Sequence, residues 1–461
     1  MEWYETTDKP REECGVFGMY APVGTPVARD IYCGLTALQH RGQESAGIAV
    51  SDTSGEKGNR VVRKGMGLVS EVFGEAELAK LTGNIGVGHV RYSTTGGSTL
   101  ENAQPICMNY SKGSLSLVHN GNIRNAEALK EEQMNRGQAH YTTSDSEVLA
   151  YEIISERVRC GAVEEAVKRA AVKLRGGYAV LVMSPRKMIA IRDPFGIKPL
   201  VLGRKGEAYI FASESAAIES VGGTLLRDVR PGEIVTVTED GITSDETMCG
   251  GQAAHCVFEY IYFARTDSVM DGVEVREARF RAGQALARIC NVQEDLVAGV
   301  PDSGLAAAEG YAAASGIPFA IAFHKNSYIG RSFIKPTDEE RKNAVHRKLA
   351  VLRSVVKGKR MVLIDDSIVR GTTMRQIIEM LREAGAVEVH VCISSPPFLH
   401  PCYYGTDVPS ARQLIASEHS AAEIAVEIGA DSLTYLREED FRTMVGDLPL
   451  CTACFDNRYP V

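Results

Sequence analysis

Two adjacent carboxylates close an apolar run in the stretch "VLIDDSIVRGTTMRQIIEML", residues 362–381. Asp365 and Asp366 end the predicted strand, and a loop leads from them into an amphipathic helix. The loop contains groups that can receive an anion: Ser367, Arg370, Gly371, Thr372 and Thr373. Backbone N–H groups at a helix N-terminus favour phosphate, whereas the aspartates suit ribose hydroxyls or Mg²⁺. The stretch therefore predicts a site for a phosphorylated sugar.

A plainer interpretation is a strand, loop and helix in which a threonine caps the helix and the aspartates face water. Two other stretches favour the ligand site. In "GVPDSG", residues 299–304, a tight turn can present Ser303 to pyrophosphate or magnesium. Residues 324–348 concentrate cations, of which Lys325 and Arg331 are the candidates for clamping a departing pyrophosphate. Each stretch alone is also compatible with an ordinary turn or a solvated loop.

Cys14 is a candidate nucleophile, because it begins an apolar segment after thirteen mostly polar residues. A free thiol has a pKa of about 8.5, and an α-amino group with a pKa of about 7.7–8.0 can act as its base. If residues 1–13 are a propeptide that is cleaved after Glu13, one residue would carry both nucleophile and base. The alternative is a buried structural cysteine.

The pair Cys451 and Cys454, in "CTAC", has the spacing of metal ligands. Six other cysteines are predicted to pack inside the protein: Cys33, Cys107, Cys160, Cys249, Cys290 and Cys392. An acidic N-terminus without an apolar core, and the lack of a long apolar run, predict a cytoplasmic protein that does not enter a membrane. The net charge of -8 argues against a nucleic-acid partner.

The length of 461 residues suggests two to four domains. The first half is rich in short strands and turns, interrupted by a helical stretch at residues 146–173. The second half alternates strands with helices, which predicts a parallel sheet. The predicted units are a propeptide at 1–13, domains at 14–245 and 256–445, and a cysteine-bearing tail at 446–461.

Two sets of motifs resemble known families. Residues 362–381 resemble the phosphoribosyltransferase signature, which binds phosphoribosyl pyrophosphate. Several earlier segments resemble, in order, the glutamine amidotransferases with an N-terminal nucleophile: "LQHRGQESAGIAV" (38–50), "GHVRYSTTG" (88–96), "HNGNI" (119–123), "TTSDSEVL" (142–149) and "RDPFGIKPL" (192–200). Together they resemble the amidophosphoribosyltransferase family over nearly the whole chain after residue 13.

The resemblance implies a two-domain α+β and α/β protein. An N-terminal-nucleophile (Ntn) hydrolase domain with four αββα layers would precede a type I phosphoribosyltransferase α/β domain with a parallel sheet. It implies an enzyme that hydrolyses glutamine at Cys14 and passes ammonia to phosphoribosyl pyrophosphate. The products would be phosphoribosylamine, glutamate and pyrophosphate, in the step that opens purine synthesis. It also implies a homotetramer that is inhibited by AMP, ADP and GMP.

The same resemblance implies roles for particular residues. Asn120 and the backbone N–H of Gly121 would stabilise an oxyanion, while Arg91 and Asp145 would bind the carboxylate and ammonium of glutamine. Taken singly, these residues are also compatible with a turn, a surface ion pair and a helix cap. A magnesium ion would lie at Ser303, Asp365 and Asp366, and a 4Fe-4S cluster would be held by Cys256, Cys402, Cys451 and Cys454.

Two positions depart from the family pattern, Ser327 where arginine is expected and Gly304 where serine or asparagine is expected. Three other functions compete with the one implied. A glutaminase that aminates a sugar phosphate would lack the signature at 365–373. A regulator that senses phosphoribosyl pyrophosphate would need no glutamine site. An iron–sulfur sensor would leave both substrate sites without a role.

Overall fold

The computed structural model describes residues 14–54, 59–92, 97–290, 292–326, 348–406, 410 and 413–460. The predicted propeptide, the predicted cation Arg331 and the departure at Ser327 lie outside the described residues.

Two antiparallel sheets form the first half of the chain. Their strands are β1 (Gly15–Tyr20), β2 (Ser45–Ser51), β3 (Val61–Met66), β4 (Ile85–Arg91), β5 (Ile106–Tyr110), β6 (Gly113–Ile123), β7 (Gly176–Met183), β8 (Met188–Arg192), β9 (Val201–Lys205), β10 (Ala208–Ala212), β11 (Thr224–Asp228), β12 (Ile234–Thr238) and β13 (Gly241–Asp245). One sheet has the order β11-β9-β10-β1-β4-β2-β3, and the other has the order β13-β12-β8-β7-β6-β5.

Helices cover the outer faces of the two sheets. They are α1 (Ala28–Ala37), α2 (Val69–Val72), α3 (Glu75–Leu78), α4 (Ala126–Asn135), α5 (Asp145–Arg159), α6 (Val163–Lys173) and α7 (Ser215–Ser220). Ile31 of α1 packs on the first sheet and Ile153 of α5 on the second. Val87 and Leu181 belong to the apolar core between the sheets. This arrangement confirms the four αββα layers that the sequence predicted.

Local sequence explains three details of the first half. Residues 232–242 contain β12 and the start of β13, which form a hairpin because Gly241 adopts a φ of +115° and turns the chain. The predicted helical stretch at 146–173 is two helices, α5 and α6, since the chain is extended at Cys160 and Ala162 on either side of Gly161. Cys33 is exposed rather than packed, because it lies off the face of α1 that buries Ile31.

The second half contains the predicted parallel sheet, with the order β17-β20-β21-β22. Its elements are β14 (His255–Cys256), a π-helical turn (Glu259–Phe263), β15 (Val269–Met270), β16 (Val273–Glu274), α8 (Val275–Ile289), β17 (Leu296–Gly299), α9 (Leu305–Ser315), β18 (Phe323–Lys325), β19 (Leu349–Val351), α10 (Arg353–Val356), β20 (Arg360–Asp365), α11 (Thr372–Glu383), β21 (Glu388–Ile393), α12 (Ala421–Ile428), β22 (Ser432–Tyr435), α13 (Phe441–Val445), β23 (Leu450–Cys451) and α14 (Ala453–Asp456). Short 3₁₀ turns lie at Ile415–Ser417 and Glu438–Asp440.

Helices bury both faces of this sheet. Alternate residues of β20 face opposite ways, so Ile364 packs with the cluster that includes α8 and α9, and Leu363 packs with α11. The predicted apolar face of α11 is buried: Met374, Ile377, Ile378 and Leu381. Helix α12 begins with a capping box, in which the hydroxyl of Ser420 accepts from the backbone N–H of Glu423.

The C-terminal tail returns to the junction between the two halves. Strand β23 pairs in parallel with β14, which places Cys451 beside Cys256. Of the helices that the structure describes, none has both the length and the apolar composition that a bilayer crossing requires.

Candidate active sites

Cys14 lies directly before β1, where that strand pairs with the last residues of β4. Its side chain is 8% exposed, and Sγ donates to the carbonyl oxygen of Tyr92 at 3.3 Å. Burial raises the pKa of the thiol to about 11. With Glu13 still bonded to Cys14, the thiol is therefore protonated at neutral pH and is a poor nucleophile.

Arg91 and Asp145 are both buried near Cys14, and both are among the charges that influence its thiol. Arg91 ends β4 and lies 3.7 Å from a carboxylate oxygen of Glu44, so it is not a surface residue. Asp145 begins α5, but Ser144 is the N-cap. The structure therefore does not fit the plain alternatives, in which Arg91 forms a surface ion pair and Asp145 caps a helix.

Asp145 is held as an anion by its neighbours. Burial opposes its ionisation, but His119 and the backbone N–H groups of Ile123 and Ser146 keep its pKa below the ordinary value. The N–H of Ile123 donates to Asp145 Oδ2 at 3.0 Å, and His119 Nδ1 lies 3.7 Å from Oδ1. A buried carboxylate in this state can bind the ammonium group of an amino acid.

Asn120 and Gly121 lie near the end of β6. The amide of Asn120 is 1% exposed, and neither its oxygen nor its nitrogen has a hydrogen-bond partner among the described residues. Gly121 adopts a φ of +136°, and a Cβ atom there would lie 2.1 Å from the carbonyl oxygen of Gly177. Since buried amides are normally hydrogen-bonded, Asn120 is suited to donate to a bound group.

A histidine pair joins the strands that carry these residues. His89 Nε2 of β4 lies 3.0 Å from the carbonyl oxygen of His119 of β6. Burial lowers the pKa of His89 to about 3, so its ring is neutral and can donate one hydrogen bond to this carbonyl. The contact places the carboxyl end of β4, with Arg91, against the strand that bears Asn120.

The second candidate site lies at the carboxyl end of β20. Asp365 and Asp366 are buried there, and Asp366 accepts hydrogen bonds from the hydroxyls of Ser303 and Ser367. Ser303 follows β17, the strand beside β20, so the structure brings together the three residues predicted to bind magnesium. Carboxylate and hydroxyl oxygens are hard ligands of the kind that Mg²⁺ prefers.

The phosphate loop leads into α11. Gly371 is the N-cap, at a φ of +81°, and Thr372 and Thr373 form the first turn of the helix. Arg370 is oriented by a hydrogen bond from Nη2 to Gln413 Oε1 at 2.8 Å. A helix start of this kind favours an anion, and it follows the strand that ends in Asp365.

The turn after β17 explains the departure at Gly304. A Cβ atom at this position would lie 2.4 Å from the carbonyl oxygen of Ile364, so a larger residue would push the turn away from β20. The carboxylate of Asp302, two residues earlier, forms an ion pair with Lys325. Lys325 is therefore held at the edge of the site where pyrophosphate was predicted to bind.

The four predicted cluster ligands line one cavity. Cys256, Cys402, Cys451 and Cys454 surround it together with Phe258, Phe398, Tyr404 and Tyr459. Burial raises the pKa of Cys451 to about 12 and that of Cys454 well above its ordinary value. Thiolates in such apolar surroundings need a positive partner, so the donor set fits a metal centre of soft ligands.

The loop that bears Cys402 also contacts strand β6 in the first half of the chain. Asn122 Nδ2 donates to the carbonyl oxygen of Tyr403 at 3.0 Å. Gly405 adopts a φ of +108°, and a Cβ atom there would lie 3.1 Å from the carbonyl carbon of Gly121. The cysteine-bearing loop thus packs directly on the strand that carries Asn120 and Gly121.

Each half of the chain matches the model of a known domain. Residues 89–220 match the model of the glutamine amidotransferase domain, and residues 273–415 match that of the phosphoribosyl transferase domain. The amidophosphoribosyltransferase of Bacillus subtilis is 47% identical over 97% of this chain and 94% of its own length. This chain belongs to the amidophosphoribosyltransferase family. The relative from Methanocaldococcus jannaschii is 43% identical over 97% of each chain.

Solved structures of the amidophosphoribosyltransferase family share the whole fold. One is glutamine phosphoribosylpyrophosphate amidotransferase from B. subtilis, described as complexed with ADP and GMP. It is 45% identical, covers 97% of each chain and superposes with a TM-score of 0.89. A second, described as the allosteric regulatory enzyme of purine biosynthesis, has a TM-score of 0.90 at 45% identity and covers 97% of this chain and 96% of its own.

In this member of the family, sequence reasoning missed a buried ion network that links the two halves. Arg41 Nε donates to the carbonyl oxygen of Cys14 at 3.1 Å. Its two terminal nitrogens lie 2.6 Å from Glu214 Oε1 and 2.5 Å from Glu259 Oε1. Glu259 belongs to the π-helical turn of the second half. The motif "LQHRG" contains Arg41, but no local pattern names a partner 218 residues away.

Arg279 lies on the other side of this π-helical turn. It donates to the carbonyl oxygens of Tyr260 at 2.9 Å and Ala264 at 2.8 Å. Burial lowers its pKa to about 10, and Asp366 is the carboxylate that most opposes this decrease. One short segment is therefore held by a residue bonded to Cys14 on one side and by a residue near Asp366 on the other.

Proposed function

We propose that the chain is an amidophosphoribosyltransferase: it hydrolyses glutamine at Cys14 and uses the ammonia to make 5-phosphoribosylamine. The observation that carries the proposal is the pairing of two sites in one chain. A buried thiol lies near the unpartnered amide of Asn120, and a magnesium-type oxygen set lies beside the phosphate loop at Gly371. The family relation over the full length supports the same reaction.

In the glutaminase step, the thiolate of Cys14 attacks the side-chain amide carbon of glutamine. Asn120 and the N–H of Gly121 donate to the oxyanion, a type of contact that contributes about 2.7–4 kcal/mol per donor. Arg91 and Asp145 bind the carboxylate and the ammonium of the substrate. Collapse of the intermediate releases ammonia and leaves a thioester, which water hydrolyses to glutamate.

Removal of residues 1–13 is part of the proposal. The pKa of about 11 that burial gives the thiol leaves almost no thiolate at neutral pH in the uncleaved chain. Cleavage after Glu13 would create an α-amino group on Cys14 itself, close enough to take the thiol proton. No separate histidine base is then needed.

In the second step, ammonia attacks C1 of the ribose as the C1–O bond to pyrophosphate breaks, and the attacking nitrogen then loses a proton. Asp365 and Asp366 orient the ribose and, with Ser303, hold the cation. Magnesium would neutralise charge on the departing pyrophosphate. The loop at Ser367, Arg370, Gly371, Thr372 and Thr373 binds the 5-phosphate. Lys325 and Arg331 hold pyrophosphate.

Ammonia must reach the ribose as the free base, because ammonium is not a nucleophile. We infer that it travels between the two sites through a passage closed to bulk water. The π-helical turn Glu259–Phe263, which contacts Arg41 through Glu259 and Arg279 through Tyr260, would form part of the wall of this passage.

We also propose that Cys256, Cys402, Cys451 and Cys454 hold a 4Fe-4S cluster that supports the fold at the junction. The common cavity and its apolar wall support this assignment. Equal amounts of iron and acid-labile sulfide in protein purified without oxygen would agree with it, and stoichiometric zinc would contradict it. We further propose that purine nucleotides such as AMP, ADP and GMP inhibit the enzyme and that it forms a homotetramer. A solved relative described as complexed with ADP and GMP supports the nucleotide-binding part of this proposal.

The replacement Cys14→Ala tests the proposed function. With phosphoribosyl pyrophosphate and Mg²⁺, it should abolish synthesis from glutamine and retain synthesis from ammonia, because only the first site needs the thiol. The readout is phosphoribosylamine formation with each nitrogen source. Cys33→Ala, at an exposed cysteine, is the matched control. Continued use of glutamine by the Cys14 variant, or a loss of both activities in a folded variant, would contradict the proposal.

A further inference from the structure

Three side chains with metal-binding groups converge at the amino ends of the parallel strands, on the opposite edge from Asp365. Glu294 precedes β17, while Glu388 and His390 lie on the same face of β21. One ligand atom from each lies within 4.8 Å of the others. His390 Nε2 is 3.2 Å from Glu294 Oε1 and 3.4 Å from Glu388 Oε2.

The carboxylate of Glu294 is buried without sufficient donors. Its side chain is 6% exposed, and among the described residues its Oε2 has no hydrogen-bond partner. Arg360 Nε lies 3.7 Å from this oxygen, beyond hydrogen-bonding distance, and the Arg360 backbone N–H donates to Asp295. Arg360 therefore forms only a long ion pair with Glu294, which leaves Oε2 without a hydrogen-bond donor in the described part of the chain and leaves the carboxylate able to bind a metal ion.

The orientation of His390 also suits a metal ion. Its Nδ1 lies 2.8 Å from Ser432 Oγ, on the neighbouring residue of β22. When Nδ1 donates to this hydroxyl, the lone pair of Nε2 faces the two carboxylates. A proton on Nε2 could be shared between them in a bifurcated hydrogen bond, but it would leave the two carboxylates facing each other. A metal ion can bind all three groups together and offset that charge.

We propose that Glu294, Glu388 and His390 form a binding site for a divalent transition-metal ion, with Zn²⁺ as the best match. Zinc accepts imidazole nitrogen and carboxylate oxygen at about 2.0–2.1 Å, which places neighbouring tetrahedral ligands about 3.3 Å apart. The two separations of 3.2 and 3.4 Å agree with that spacing. The ion would fasten the connection before β17 to β21, far from either substrate.

Metal binding by difference tests the site in the full chain. Equilibrium dialysis against Zn²⁺ alone should give His390→Asn and Glu294→Gln one zinc equivalent per chain fewer than wild type. The exposed His419 provides the matched control, and His419→Asn should keep the wild-type count. Equal counts in all four proteins would overturn the proposal. The comparison by difference is needed because cysteines also bind zinc.

Two further measurements exclude an indirect effect of the replacements. With Co²⁺ as the probe, the absorption lost in His390→Asn should lack thiolate-to-cobalt charge transfer. Loss of that thiolate band would mean that the variant disturbs the cysteine site, and would count against the proposal. Wild-type crystals soaked in Zn²⁺ should show an anomalous peak between the three side chains. Its absence would overturn the site without depending on the folding of any variant.

Discussion

At Gly121 the backbone itself supplies the proposed oxyanion donor, and no other residue type fits there. The positive φ and the close approach to Gly177 would force strand β6 away from β7 if a methyl group were added. The proposed role of Gly121 thus depends on its having no side chain. The same is true of Gly304, where a Cβ atom would meet the carbonyl of Ile364.

Gly121→Ala keeps the backbone N–H but should displace it, because the added Cβ would collide with the carbonyl oxygen of Gly177. Glutamine-dependent synthesis should then fall by up to about 10²–10³-fold, the effect of losing one oxyanion donor. Ammonia-dependent synthesis should change little. The two rates measured on one preparation give the result. Gly137→Ala is the control, since Gly137 also has a positive φ but no atom within 4 Å of an added Cβ. A Gly121 variant that loses both rates equally would contradict the assigned role.

The pKa of Cys14 gives a pH prediction. In a chain that retains residue 13, the thiol is protonated below a pKa of about 11, so its alkylation by iodoacetamide should rise about tenfold per pH unit from pH 7 to 10. The rate can be followed by mass spectrometry of the peptide that contains Cys14. The processed chain should react faster at pH 7. A rate that levels off near pH 8.5 in the uncleaved chain would contradict the effect of burial.

The π-helical turn Glu259–Phe263 is bonded to residues that lie near both proposed sites. Its Glu259 is paired with Arg41, which donates to the carbonyl of Cys14, and Arg279 donates to its Tyr260 carbonyl. A shift of this turn would therefore be transmitted to the nucleophile. Breaking a buried ion pair by removing one partner costs about 3–5 kcal/mol in general.

Glu259→Gln should lower the melting temperature and reduce glutamine use more than ammonia use, since the lost charge supports the backbone of Cys14. Thermal unfolding and the two rates provide the readouts. Glu277→Gln, which breaks the exposed pair with Arg281 on α8, should leave both nearly unchanged. Wild-type stability and glutamine use in the Glu259 variant would argue that the network has no positioning role.

Local patterns in the sequence predicted the elements well. The strand at β20, the buried face of α11 and the capping box at Ser420 follow from residue types within a few positions of one another. The pairing of Arg41 with Glu259 does not, because it joins residues 218 positions apart through the packing of two halves. The turn at Gly241, by contrast, follows from the Asp and Gly that end the apolar run of β12.

Candidate residues followed the same division. Asp365, Gly371 and Thr372 lie within eight residues of one another, so their residue types and spacing could be recognised as one motif in the sequence. Asn120, Arg91 and Asp145 come from separate strands and a helix start, and resemblance alone grouped them around Cys14. The support that His119 gives to Asp145 could not be predicted, because it depends on the three-dimensional pairing of β6 with α5.

At the scale of the whole molecule, ammonia must pass from the proposed glutamine site to the proposed phosphoribosyl site. With glutamine labelled in its amide by ¹⁵N and excess unlabelled ammonium in solution, the product should retain the label at short times, because the passage excludes bulk water. Mass spectrometry of trapped phosphoribosylamine measures the fraction. Cys14→Ala should incorporate only unlabelled nitrogen. Dilution of the label to the solution ratio in the active enzyme would show an open route.

Gly405 rests against Gly121, three residues after one of the four sulfurs. If the proposed cluster is present, oxidation that displaces Cys402 would move this loop against Gly121, while the proposed phosphate loop follows a separate strand, β20. Oxidised protein should then lose glutamine hydrolysis before it loses affinity for phosphoribosyl pyrophosphate.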